Sequence, residues 1–159
     1  MEKKSDKVEF NPTALISFIL ILMSGLLFQL FQVSILGQSF NKFTMFDYIL
    51  LFLTAPLDSN IFNVILSILL ITTFLTILFL YFLNGFGLIH NKSSGSASFL
   101  TFIYLMIGSI MYKVLSQESI NFMGFNLSNT SLGMGLYFPP IVGIAYLLFY
   151  RQINSAFKF

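Results

Sequence analysis

TMFDYILLFLTAPLDSN, residues 44–60, decides the fold of this chain. It is apolar enough to enter a membrane, yet it carries Asp47 near one end and Asp58 near the other. If it crosses the bilayer, the two chain ends lie on opposite sides. If it does not, they share a side. The ten residues between the aspartates, YILLFLTAPL, reach about 15 Å as a helix. A span must cross roughly 30 Å of hydrocarbon. Pro56 would break the helix near its end. A carboxylate carried toward the bilayer centre costs roughly 2.5–3.5 kcal/mol on insertion scales. The expectation is a short amphipathic helix at the interface, or a re-entrant segment, over about residues 46–57, with Thr44 or Asp47 capping its start. The alternatives are an apolar loop packed on the bundle and a fifth span.

The rest of the chain supports a lipid setting. Of 159 residues, 57% are hydrophobic and 9% charged, with a mean hydropathy of +0.87. Soluble domains carry about 25% charged residues. A chain this poor in charge cannot clothe a globule in solvated side chains. MEKKSDK followed by an apolar run suggests a signal peptide, but the run from Ala14 to Leu36 is too long for a signal core and lacks a clean cleavage site. It reads as a retained first span.

Uncharged gaps mark the other spans. Residues 10–41, 59–91, 93–112 and 119–150 contain no Asp, Glu, Lys or Arg. Each is long enough for a membrane helix. The expected spans are about 14–36, 61–83, 99–115 and 134–150 of a single membrane domain. The fold class is an all-α integral membrane protein: a four-transmembrane-helix bundle with an interfacial or re-entrant segment after the first helix.

Four spans place Lys3, Lys4, Lys7, Lys92, Arg151 and Lys158 on one side and only Lys42 and Lys113 on the other. The positive-inside bias then puts both termini in the cytoplasm. The expected location is the cytoplasmic membrane of a bacterium. With no Trp in the chain, Tyr must serve as interfacial anchor: Tyr81 and Tyr150 at inner ends, Tyr48, Tyr112 and Tyr137 near outer ends.

Composition also narrows the chemistry. There are no cysteines and one His, His90. No carboxylate lies within a span, so the buried acid that a proton- or sodium-coupled carrier uses is missing. No phosphate-binding glycine motif occurs. The expectation is that the chain is not an enzyme and has no catalytic, cofactor-binding or metal-ligating residues. No basic patch with interleaved aromatics points to nucleic acid.

Weakly polar residues recur at helical spacing instead. Gly25, Gln29 and Gln32 would share one face of a helical first span. Thr72, Thr73 and Thr76 cluster in the second. Thr101, Tyr104, Gly108 and Tyr112 form a face in the third, and Gly135, Pro139 and Gly143 recur every fourth residue in the last. Such faces hold helices together through close approach and interhelical hydrogen bonds of about 0.6–2 kcal/mol each. Tyr104 and Tyr146 fall about 6–8 Å inside the inner ends of their spans, in a layer with Ser17 and Thr76, where hydroxyls should be hydrogen-bonded to one another. Lys113, about a turn from the outer end of span three, can snorkel to the headgroups. Glu118 follows it in the outer loop. Pro139 and Pro140 either open the last helix or kink it.

The layout resembles that of claudin-type tetraspan proteins in its inner termini, longer first outer loop and four spans. The Trp and paired Cys of the claudin outer loop are absent here, and no family is assigned on that likeness.

The functional expectation is a small accessory, assembly or immunity-type subunit. It would be embedded among membrane lipids and bound to a larger membrane protein. Gln29, Gln32, Tyr104, Tyr146, Lys113 and Glu118 are its candidate partner or polar-face residues. One alternative is a transporter or channel component, possibly as a homo-oligomer. Another is a lipid-modifying membrane enzyme.

Overall fold

Asn11 and Pro12 start the first helix. The Asn11 side chain accepts from the Ala14 amide at 3.1 Å, and Pro12 stands where a missing N–H costs nothing. The computed structural model describes residues 10–35, 38–54, 61–89, 92–117, 121–122, 125–126 and 130–156. Over them the chain runs α1 (Pro12–Leu27), β1 (Gln29–Ile35), β2 (Gln38–Thr44), α2 (Met45–Thr54), α3 (Ile61–Gly85), α4 (Lys92–Gln117), β3 (Asn121–Phe122), β4 (Phe125–Asn126), β5 (Thr130–Leu132) and α5 (Met134–Ala156). The protein is mostly helical. The helix α3 and the Gly95–Lys113 part of α4 are long and apolar enough to cross a membrane.

The first helix corrects the expected span of 14–36. It stops at Leu27, and Phe28 turns to extended backbone at ψ 137°. Its 16 residues rise only about 24 Å. From Phe31 the chain alternates apolar and polar residues, FQVSI, which is the period of a strand rather than a helix. Strands β1 and β2 form an antiparallel hairpin, with Gln32 opposite Lys42 and Val33 opposite Asn41. On its other edge β1 pairs antiparallel with β5, Gln32 opposite Ser131. The sheet order is β2-β1-β5. Gln29 and Gln32 therefore lie on a strand and share no helical face.

Helix α2 forms within the stretch that opened the question. Thr44 and Asp47 cap it reciprocally: the Asp47 amide donates to Thr44 Oγ1 at 3.2 Å, and the Thr44 amide and hydroxyl donate to Asp47 Oδ2 at 3.0 and 2.7 Å. Met45 and Tyr48 turn inward, while Leu50 and Leu53 are exposed. At ten residues the helix is too short to cross a bilayer. Asp58 and the rest of 55–60 lie outside the described residues.

The four longer helices pack in a ring: α1 against α3 and α5, and α4 against the same two. Two layers of side-chain contacts, described below, bring the start of α1, the end of α3, the start of α4 and the end of α5 to one end. The sheet and α2 occupy the opposite end. The core is filled by Ile21, Leu70, Phe74, Ile77, Tyr104 and Leu136, all fully buried. Glycines set the closest approaches. A side chain at Gly108 would collide with Leu136, and one at Gly143 with Thr101.

The exterior inverts the usual distribution of polarity. Leu75, Phe79, Met106, Ile110, Leu147 and Leu148 face outward, whereas Asn11, Thr13, Ser17, Asn63, Ser67, Asn84, Ser98 and Thr101 are buried. Thr72 and Thr76 also face outward. Their hydroxyls donate back to the carbonyls of Ile68 and Thr72, each at 2.7 Å, so neither presents a free donor.

Candidate functional site

Two polar layers distinguish the ends of the bundle. At the termini end, Asn11 joins three helices. Its Nδ2 donates to Asn84 Oδ1 of α3 at 2.7 Å and to the Tyr146 hydroxyl of α5 at 3.0 Å. Its backbone amide donates to the Gly85 carbonyl at 3.2 Å. Asn11 is 1% exposed, Asn84 0% and Tyr146 3%. Beside this junction the Tyr81 hydroxyl bonds Ser98 Oγ of α4 at 2.8 Å, so all four long helices are tied at one level. The Tyr81 ring meets Tyr146 edge-on at 5.4 Å, and Tyr146 stacks on Tyr150 at 5.8 Å. The row ends at exposed Arg151, whose Nε donates to the Tyr150 hydroxyl at 2.9 Å.

At the sheet end, α2 is tied to α3 and α4. The Tyr48 hydroxyl meets Ser67 Oγ at 2.7 Å and Met111 Sδ at 3.6 Å. Ser67 donates its own proton to the Asn63 carbonyl at 2.8 Å, which leaves Tyr48 as donor to Ser67. Burial pushes the Tyr48 phenol above its ordinary range, outweighing its hydrogen bond with Ser67, so it stays neutral.

The sequence candidates are dispersed between these layers. Tyr146 belongs to the termini-end junction. Tyr104 is fully buried at mid-helix, because α4 begins at Lys92 rather than near residue 99. Its hydroxyl points toward the sheet end, 3.4 Å from the Gly135 carbonyl and 3.8 Å from Met45 Sδ. Tyr104 and Tyr146 thus do not bond each other. Ser17 and Thr76 bond carbonyls of their own helices instead. Gln29 is half-buried at the start of β1, and Gln32 follows within the strand. Lys113 is exposed one turn before the end of α4. Glu118 and His90 lie outside the described residues.

Two expected interfacial anchors point inward instead. Tyr48 and Tyr81 are 3% and 0% exposed, because each hydroxyl has a serine partner across a helix interface. Asn11 and Asn84 are absent from the residues that sequence spacing marks as candidates. The Asn-Pro pair was a visible helix-start signal, but its second use as a three-helix clasp depends on residues 73 and 135 positions away.

Among the described residues, no three His, Cys, Asp or Glu side chains come together to hold a metal ion. The Thr101/Tyr104/Gly108 and Gly135/Pro139/Gly143 faces are buried, with Gly108 packed on Leu136 of α5, Gly143 on Thr101 of α4 and Gly135 on the Phe28 and Gln29 carbonyls. Comparison with protein-family models, with curated proteins and with solved structures finds no match to this chain.

Proposed function

We propose that the chain is a four-span integral membrane protein of the cytoplasmic membrane, with both termini inside. It acts without chemistry of its own, as an accessory, assembly or immunity-type subunit of a larger membrane protein. In this reading α3, α4 and α5 cross the bilayer, the shorter α1 runs beside them through most of its hydrocarbon, α2 lies at the outer interface, and the sheet stands at the outer face.

One observation carries the reading: buried Asn11, Asn84, Tyr146, Tyr81 and Ser98 bond the helices of a single bundle to one another, while the outward faces are largely apolar. Such a molecule is built to stay intact in lipid. Thr72 and Thr76, which would line a shared path together with Thr73, Gln29 and Gln32, turn their hydroxyls back on their own helix. The six-to-two distribution of Lys and Arg supports the orientation. What remains for recognition is the sheet and the outer helix faces.

The test is isolation from native membranes in gentle detergent, with mass spectrometry and particle size. A larger membrane protein at fixed stoichiometry supports the subunit role. A homo-oligomer alone that passes ions in liposomes overturns it in favour of a channel.

A further inference from the structure

Arg151 ends a row of aromatic rings that begins at the polar junction of the bundle. Tyr146 accepts from Asn11 Nδ2 at 3.0 Å. Tyr150, about one turn further along α5, stacks on the Tyr146 ring at 5.8 Å, with the two planes 14° apart. Arg151 Nε donates to the Tyr150 hydroxyl at 2.9 Å, and its guanidinium carbon lies 5.7 Å from the centre of the Tyr150 ring. An exposed arginine is ordinarily free to sample many rotamers. Here the Nε donor is spent on fixing the plane of the group, and the N–H groups of both Nη atoms remain available.

The charge has no counterpart within the described residues. Asp47 is the one carboxylate among them, and it caps α2 at the opposite end of the bundle. Among the same residues Arg151 is engaged by Tyr150 alone. A planar guanidinium with its outer edge open matches a phosphate, which accepts two parallel N–H bonds.

The helix face below Arg151 points to what carries that phosphate. Ile144, Leu147 and Leu148 precede it by seven, four and three residues, so they share its face of α5. All three are exposed. From Ile144 to Arg151 the stripe rises about 10 Å. An apolar stripe ending at a cation fits an amphiphile, with hydrocarbon along the stripe and phosphate at the guanidinium. An acidic peptide would match the charge but leave the stripe bare.

We propose that Arg151, held by Tyr150 at the end of the Ile144, Leu147 and Leu148 stripe, binds the phosphate of an anionic phospholipid whose acyl chain lies along that stripe. The ring row ties this site to the Asn11 junction, so the guanidinium is set in place before the lipid arrives, which lowers the entropy cost of binding. The proposal rests on the membrane-spanning reading and not on the subunit role.

Native mass spectrometry of the purified protein, released from detergent carrying equimolar phosphatidylglycerol and phosphatidylcholine, reads the ratio of the two lipids retained. The expected result is an approximately fivefold preference for phosphatidylglycerol. Arg151→Ala should abolish it. Tyr150→Phe, which keeps the ring and the charge but removes the tie, should lower it about twofold. Lys92→Ala removes a charge from the same end, at the start of α4, and should leave it unchanged. Equal retention of both lipids by the native protein overturns the site. So does an undiminished preference in Arg151→Ala, or an equal loss in Lys92→Ala, which would mean diffuse attraction to the charged end. Displacement of phosphatidylglycerol by a molar excess of inorganic phosphate overturns the lipid in favour of a soluble anion. A chain that stays monodisperse without detergent overturns both the membrane reading and the site, whereas a chain that needs detergent but retains the two lipids equally overturns the site alone.

Discussion

Asn11 Nδ2 lies 2.7 Å from Asn84 Oδ1 and 3.0 Å from the Tyr146 hydroxyl, so one side-chain amide closes α1 onto α3 and α5. The same side chain caps α1 through its oxygen. Asn11→Ala removes cap and clasp together. It is expected to destabilise the protein by about 2–3 kcal/mol. Asn11→Ser keeps a cap oxygen but cannot span the junction, and should lose about half as much. Thermal unfolding in detergent, followed by circular dichroism, compares them. Equal stability of Asn11→Ala and the native chain would remove the clasp from this account.

The capping box of α2 offers a local test. Asp47→Ala strips the acceptor of the Thr44 amide and hydroxyl. Thr44→Ala strips the acceptor of the Asp47 amide. Each should cost about 1 kcal/mol, confined to α2. Hydrogen exchange should quicken about fivefold at Met45–Thr54 and stay constant in α3.

Packing and exterior should respond in opposite ways. Gly108→Leu drives a side chain into Leu136 and should cost about 1–3 kcal/mol or block folding. Thr72→Val replaces a hydroxyl already bonded to Ile68 on the outward face, and should change stability by less than about 0.5 kcal/mol. A large loss of function in Thr72→Val with normal stability would point back to a shared path.

Gly133 stands where the sheet meets α5, its backbone pressed on the Gln29 carbonyl. Gly133→Ala must part β5 from β1. Faster exchange at the amides of residues 30–33, with α3 and α4 unaffected, is the expected signature. Uniform loss of protection would mean that the sheet and bundle fold as one cooperative unit.

Much of the helical content was legible in the sequence. Charge-free gaps mark α3, α4 and α5 because a long helix with apolar outer faces carries few ions. The distance between Asp47 and Asp58 is too short for a span, and Thr44 with Asp47 carries the chemistry of a helix start. Small and polar residues at helical spacing, Thr101 with Gly108 and Gly135 with Gly143, mark faces that turn inward.

The sheet is faint in the sequence, although FQVSI carries its period. Counting charges treats residues 10–41 as one uncharged run, and such a count cannot tell a helix from a strand. Nor could spacing foretell that Gln32 would pair with Ser131, or that Tyr48 and Tyr81 would point inward.

Local composition by itself determined where helices form, because length, charge and capping act within a few residues. Tertiary structure alone decided what the polar side chains do. A buried amide or hydroxyl must find a partner in a medium without water. For Asn11 and Tyr104 the partners lie on other helices, brought within reach only when the bundle closes.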